Sequence, residues 1–422
     1  TVYRAYEEAC ERGGLVDFAE LLLRAHELFR DRVDVLQHYQ RRFAHVLVDE
    51  FQDTNTIQYA WLRLLAGASS ALFCVGDDDQ SIYGWRGAKI ENIRQFPKDY
   101  EVTTLRLEQN YRSSGHILAA ANGLIAHNEG RFGKDLWTSS GDGEPVHRYS
   151  AFNDQDEARF VVGRIARWRD DGGRADEAAI LYRVSAQSRM FEETLLSAGI
   201  GYRVYGGMRF YERAEIKDTL AYLRLIYNRH DDAAFERVVN VPPRGIGSRS
   251  VDVVRTRARL DGSSMWESAL SNIADGSLNA RAVNAVRAFI ELIQSMQTLS
   301  ADVGPGDKVQ VVIEAASLEA HYGRERGEKA LSRLENLNEL VTATRQFAGD
   351  HAEDTDPMLE FFSHAALEAG DEQAGDSQDA VNLMTLHSAK GLEFPVVFLC
   401  GLEEGLFPHQ RSSADPAQLE EE

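Results

Sequence analysis

Cysteine is scarce in this chain: Cys10, Cys74 and Cys400 are the only ones in 422 residues. Three thiols so widely spaced form neither a metal-binding pattern nor a disulfide framework, which suits a reducing cytosol. Also missing is any run of 18 apolar residues, so no segment is expected to span a bilayer. No signal peptide opens the sequence and no repeat recurs at a fixed period. Residues 350–380 contain no Lys or Arg among ten acids. The net charge of −21 therefore argues against a simple nucleic-acid coat, but the sum hides its distribution. Residues 203–259 carry 12 basic and seven acidic side chains. Acid gathers in one linker-like stretch, and a central stretch is basic. The opening residues read as the middle of a helix and the closing "AQLEEE" as a helix just begun, so a fragment of a longer protein is expected.

At this length two to four domains are expected. Four short apolar runs read as buried parallel strands covered on both faces: "HVLV" (45–48), "ALFCV" (71–75), "AAILY" (178–182) and "VVFLC" (396–400). Helical patterns separate them, such as Ile57, Ala60, Trp61, Leu64 and Leu65. Strands alternating with helices indicate α/β layers. From about 214 to 366 the pattern becomes helical throughout. Ile216, Leu220, Leu223 and Tyr227 share one face, as do Val283, Val286, Phe289, Ile290 and Ile293, and Leu331, Leu334, Leu337 and Val341. A helical domain inserted into an α/β one is expected, with the second α/β unit resuming at "VNLMTLH" (381–387) after a mobile linker, "GDEQAGDSQDA" (370–380).

The chemistry concentrates at strand ends. "HVLVDEFQDTN" puts Asp49 and Glu50 at the carboxyl edge of a parallel strand, where α/β folds bind ligands. One such carboxylate can hold Mg²⁺ through its water shell, and its neighbour can orient and deprotonate an attacking water. A solvated acidic turn is the plainer alternative. The run "ALFCVGDDDQSIYGWRGA" ends the same way, so if the strands are neighbours, Asp77 and Gln80 stand beside Asp49 and Glu50. Tyr83, Trp85 and Arg86 follow on the same loop, and base stacking on such a ring contributes roughly 1–3 kcal/mol whatever the base. Trp85 could equally fill a core edge. In "PPRGIGSRS" the prolines stop a helix, Gly245 and Gly247 permit a tight turn, and Ser248 can cap the next helix. Exposed N–H groups there suit a phosphate, with Arg244, Arg249 and Arg255 adding charge. An ordinary interhelical turn reads the same.

Taken together, "VLVDEFQDTN", "VGDDDQSIYGWRGA", "LEQNYRS" (107–113) and "VNLMTLHSAKGLEFPVVFLCGLEEGLFPH" (381–409) resemble, in order, the second to fifth helicase motifs of the UvrD/PcrA/Rep family of superfamily 1 DNA helicases. "YGGMRFYERAEIKDTLAYLRL" (205–225) and "NVPPRGIG" (240–247) are also similar to that family. The resemblance implies an α/β fold with two RecA-like units of the P-loop NTPase type and an inserted all-helical domain contacting duplex DNA. Its implied bounds are 1–43 for the remnant of a helical insertion, 44–109 for the incomplete first unit, 110–206 with 380–422 for the second, and 207–379 for the helical domain. It implies ATP and Mg²⁺, with Asp49 holding the metal, Glu50 activating water, Gln80 sensing the γ-phosphate, Tyr111 stacking on adenine and Arg112 stabilising the transferring phosphoryl group. Glu393 would contact the ribose, and His387 and Lys390 would lie near the cleft and bind DNA. Tyr83, Trp85, Arg86, Phe407 and His409 would grip single-stranded DNA, and Arg244, Gly245 and Gly247 the duplex. Phe407 at a turn and His387 as a structural histidine are the bland alternatives. The implied partners are single-stranded DNA, junctions of single- and double-stranded DNA, and repair accessory proteins. The implied setting is the bacterial cytoplasm, associated with the nucleoid, in repair and replication with 3′–5′ movement.

The family's phosphate-cradling loop, G-x-x-x-x-G-K-[ST], is absent: "FGKDL" (132–136) lacks both the first Gly and the Ser or Thr. The final motif, with a second arginine, is absent too. The chain alone is therefore expected to hydrolyse ATP negligibly, and a DNA-binding scaffold or inhibitory fragment without motor activity is the competing class. A helicase–nuclease subunit is a further possibility, but no nuclease-type cluster follows residue 400.

Overall fold

The computed structural model describes residues 4, 6, 7, 10, 16–67, 71–128, 130–205, 208–325, 327–349, 356–370, 379–410, 412 and 415–422. Most of the acidic linker expected at 370–380 lies outside them. The chain forms two compact units: residues 1–148 with 408–422, and residues 149–407.

In the first unit, β1 (His45–Val48) and β2 (Ala71–Cys74) pair in parallel, with Val48 opposite Cys74. Between them runs the helix Thr56–Ala66, started by a reciprocal cap of Asn55 and Gln58 and ended at Gly67 with φ +57°. Its buried stripe is Tyr59, Leu62, Leu65 and Ala66, rotated from the expected Ile57, Ala60, Trp61, Leu64 and Leu65. The rotation has a physical cause. Tyr59 and Leu62 pack on Val46, Val48, Leu72 and Cys74 of the sheet, and Trp61 stacks on Phe29 of the helix Phe18–Asp31 at 5.9 Å. Gln40, on the helix Val33–Arg42, donates to the Leu64 carbonyl at 2.8 Å. The expectation of strands covered on both faces fails here. His45, Leu47, Ala71 and Phe73 are exposed, because one face alone is packed among the described residues.

Residues 110–148, expected with the second α/β unit, pack with the first. The strand-like "TTLRL" forms no ladder, and Leu105 and Leu107 are exposed. What holds this stretch is local. Asn110 donates to the Trp137 carbonyl at 2.7 Å, and Trp137 donates to that of Glu108 at 3.0 Å. The first two N–H groups of the helix Gly115–Ile125 bond the carbonyls of Gly141 and Asp142.

The second unit holds a parallel sheet in the order β4 (Tyr202–Val204), β5 (Val381–Thr385), β3 (Ala178–Tyr182), β6 (Val396–Leu399). The three-residue β4 was too short to stand out in the sequence. Ala178, Ile180 and Tyr182 face the helices Asp154–Asp170 and Ser188–Ser197, and Ala179 and Leu181 face Met384, Leu386 and Phe394. β3 is thus buried on both sides, as the unbroken apolar run requires. Between Val204 and Val381 the described residues contain helices and no strand. Their common core includes Ile216, Leu223, Phe289, Ile293 and Leu337, on the faces the sequence marked, together with Phe235.

Candidate functional site

The parallel pairing of β1 and β2 brings their carboxyl ends side by side, which joins the two acidic loops. Glu50 sits in the left-handed region at φ 49°, and its N–H donates to Asp49 Oδ1 at 2.9 Å. Both carboxylates are exposed. Gln52, fully buried, lies between the loops: its Nε2 donates to Glu50 Oε2 at 2.5 Å, and its Oε1 accepts from the Asp77 N–H at 2.9 Å. Asp77 Oδ2 in turn accepts from Gln80 Nε2 at 2.7 Å. Asp49, Glu50, Asp77 and Gln80 therefore belong to one connected edge, and Gln52 is the link between its two loops.

Carboxylate oxygens of Asp77, Asp78 and Asp79 lie within 4.8 Å of one another. Their charge is answered by a stretch over 50 residues away. Arg131 makes a two-pronged pair with Asp79, both bonds 2.7 Å, the Phe132 N–H donates to Asp78 at 2.8 Å, and Lys134 pairs with Asp77. Sequence reading had set "FGKDL" aside for lacking a phosphate loop. Its lysine and the nearby arginine anchor the acidic loop instead.

Beyond the acids the loop turns through Gly84–Arg86. The Gly84 N–H donates to Glu421 Oε1 at 2.7 Å. Trp85 is 44% exposed, so it does not fill a core edge. Its ring meets Tyr83 edge-on at 6.3 Å, and the Arg86 guanidinium lies over both rings, 4.6 Å from Trp85 and 5.1 Å from Tyr83. Tyr111 is exposed and its hydroxyl donates to Gln109 at 3.0 Å. The side chain of Asn110 accepts from the N–H groups of Arg112 and Ser113, fixing the turn that presents Tyr111 and Arg112. His409 also belongs to this unit, its N–H donating to Glu422 at 3.2 Å.

The remaining candidates belong to the second unit. His387 and Lys390 stand at the carboxyl end of β5, half-buried, Glu393 is exposed, and Phe407 is half-buried. In the "PPRGIG" turn, Arg244 points inward. Its Nη1 donates to the carbonyls of Val241 at 2.8 Å, Pro242 at 3.1 Å and Val238 at 3.3 Å, and its guanidinium covers the rings of Tyr222 and Phe289. The turn itself is outward. Gly245 has φ +81° and is exposed, and exposed Gly247, rather than Ser248, is the cap residue of the helix Ser248–Asp261. Burial raises the thiol of Cys74 to about 11 and that of Cys400 further, so both are inert apolar side chains.

Residues 1–101 match the family described as "UvrD/REP helicase N-terminal domain" and residues 105–422 match "UvrD-like helicase C-terminal domain". The chain belongs to the UvrD/Rep helicase family. It is 58% identical to DNA helicase II of Escherichia coli (strain K12) over 423 residues and 54% identical to DNA helicase II of Haemophilus influenzae. It is 42% identical to the ATP-dependent DNA helicase PcrA of Bacillus subtilis (strain 168). All of this chain aligns in each case, and it spans 59%, 58% and 58% of those proteins. No described helix is long and apolar enough to cross a membrane.

Proposed function

We propose that this chain is the greater part of an ATP-driven DNA helicase that moves 3′ to 5′ on single-stranded DNA at junctions with duplex, in repair and replication. The observation carrying the reading is the continuous path at the β1–β2 edge. Glu50, Gln52, Asp77 and Gln80 are hydrogen-bonded in sequence, and the same loop ends in the exposed ring of Trp85. Glu50 orients and deprotonates the attacking water, Gln80 registers the γ-phosphate, Arg112 steadies the transferring phosphoryl group, and Tyr111 stacks on the adenine. Glu393 reaches the ribose, and His387 and Lys390 contact DNA. Mg²⁺ needs only one or two protein carboxylates when water and phosphate oxygens complete its shell. The exposed Asp49 carboxylate at the sheet edge fits that demand, and the ion would neutralise phosphate charge.

Tyr83, Trp85, Arg86, Phe407 and His409 take the single strand. The outward Gly245–Gly247 turn with Arg249 takes duplex phosphates, and Arg244 supports that turn from inside. The units are two RecA-like folds with a helical domain between β4 and β5, in a bacterial cytoplasmic protein near the nucleoid. ATP hydrolysis by this chain alone is negligible for want of the phosphate loop. The test is to extend the protein to its relatives' length and measure phosphate release with and without single-stranded DNA. DNA-stimulated turnover that stops in Glu50→Gln, with Mg²⁺·ATP binding retained, supports the reading. DNA binding without stimulated turnover overturns it in favour of a scaffold.

A further inference from the structure

Gln52 is the only polar side chain at the β1–β2 edge with no exposure at all, among the described residues. A buried primary amide is costly unless both its ends are bonded. Here both are, and the chemistry of the neighbours fixes which end is which. The Asp77 N–H can only donate, so the oxygen of Gln52 must face it. The amide nitrogen then faces Glu50, which accepts as a carboxylate. Turning the amide over would set N–H against N–H and oxygen against a negative oxygen. The arrangement therefore fixes the amide and tethers one oxygen of the Glu50 carboxylate, Oε2.

The backbone is shaped to admit this amide. A Cβ at Gly76 would stand 2.9 Å from Gln52 Oε1 and 3.3 Å from Phe51 Cβ, so a side chain there would drive the amide out of place. Glu50 itself is held at φ 49°, a left-handed backbone state that a non-glycine residue seldom adopts. Phe51, just before Gln52, donates its N–H to the Val75 carbonyl at 3.0 Å, so a backbone bond joins the two strand ends beside the side-chain one.

We propose that Gln52 is a positioning residue for ATP hydrolysis, holding the Glu50 carboxylate toward the attacking water and tying it to the Asp77–Gln80 loop. It touches neither nucleotide nor metal. The proposal rests on Glu50 being the general base. Gln80 bonds Asp77, Asp77 bonds Gln52 and Gln52 bonds Glu50, so a change at the phosphate-sensing glutamine reaches the base through three hydrogen bonds. The role is one of aim, and misaim by about 1 Å can cost on the order of 100-fold in rate.

The experiment uses the protein extended to its relatives' length, with steady-state ATPase rates and titration of a fluorescent ATP analogue. Gln52→Met keeps volume and burial but removes both hydrogen bonds. The expected result is a kcat fall of about 10- to 100-fold with analogue Kd within about three-fold of the parent. Gln52→Glu keeps the shape and the bond to the Asp77 N–H but opposes Glu50 with a second negative oxygen, and loses kcat as well. In a Glu50→Gln background, Gln52→Met adds no further loss, because the group it aims has gone. Parental kcat in Gln52→Met means the residue only fills space and overturns the proposal. So does a loss confined to Kd, or a full multiplicative loss on top of Glu50→Gln. Should Gln52→Met fail to fold by thermal melting, parental kcat in Gln52→Glu overturns it equally. Undiminished turnover in Glu50→Gln alone overturns the assignment of the base, a different failure from an active Gln52→Met beside an inactive Glu50→Gln.

Discussion

Removing Arg131 tests how the three consecutive aspartates are tolerated. Its two bonds to Asp79 are 2.7 Å each, and the side chains are only 16% and 13% exposed. Two opposite charges about 4 Å apart attract by roughly 4 kcal/mol at an effective dielectric near 20. Desolvation offsets part of this, and a hydrogen bond to a charged group nets about 1.5–3 kcal/mol. Arg131→Met also uncovers repulsion within the aspartate cluster, whose oxygens are within 4.8 Å. The expected cost is about 2–3 kcal/mol of local stability. It is best read as amide exchange at Phe132, whose N–H donates to Asp78, and at Trp137, whose N–H donates to Glu108. Exchange there should accelerate roughly 30- to 150-fold, since each 1.4 kcal/mol is a factor of ten. Asp79→Asn alone should cost less, because it relieves the repulsion it exposes. The double variant should show a coupling of at least about 1 kcal/mol. Exchange accelerated less than three-fold, or two effects that simply add, would refute the clamp.

Trp85→Ala, in the extended protein, should weaken single-strand affinity by about 5- to 150-fold, the worth of one stacked base, with ATP binding little changed. Equal losses in both titrations would contradict an outward-facing ring. Arg244→Lys should destabilise the second unit by about 1–3 kcal/mol in urea unfolding, because an ammonium cannot reach three carbonyls and cover two rings at once. If it leaves stability intact and reduces the salt dependence of DNA binding, Arg244 faces phosphate after all. Asp275 is held down to about 2, first by the Ser277 hydroxyl, then by Arg257 and the Ser277 N–H. Its folded value lies below the ordinary 3.8, so its contribution is present above pH 4 and is lost as pH falls from about 4 through 2. A carboxyl titration of Asp275 by NMR with its midpoint near 3.8 would remove that contribution.

Why so much of the fold could be read and so little of its wiring comes down to range. β3 and the helical stripe of Phe289, Ile290 and Ile293 announce themselves because each is a local pattern of apolar residues, and burial follows the pattern. β1 and β2 share that local pattern yet are exposed on one face, since coverage depends on what lies opposite, which a strand's own residues do not record. The site repeats the lesson. Asp49, Glu50 and Gln80 stand out at their strand ends, whereas the contacts that join and steady the two loops span 25 positions from Gln52 to Asp77 and 52 from Asp79 to Arg131. Gln52 looked like a minor neighbour of two acids until the Asp77 N–H was placed against it. Arg244 looked like surface charge, and its carbonyl partners are two to six residues back along a turn whose direction no spacing rule fixes. Three adjacent aspartates repel one another unless their charge is answered. Arg131 and Lys134 offset two of the three negative charges and the Phe132 N–H bonds the third carboxylate, so the acids are held within the loop and Trp85 stays exposed beyond them.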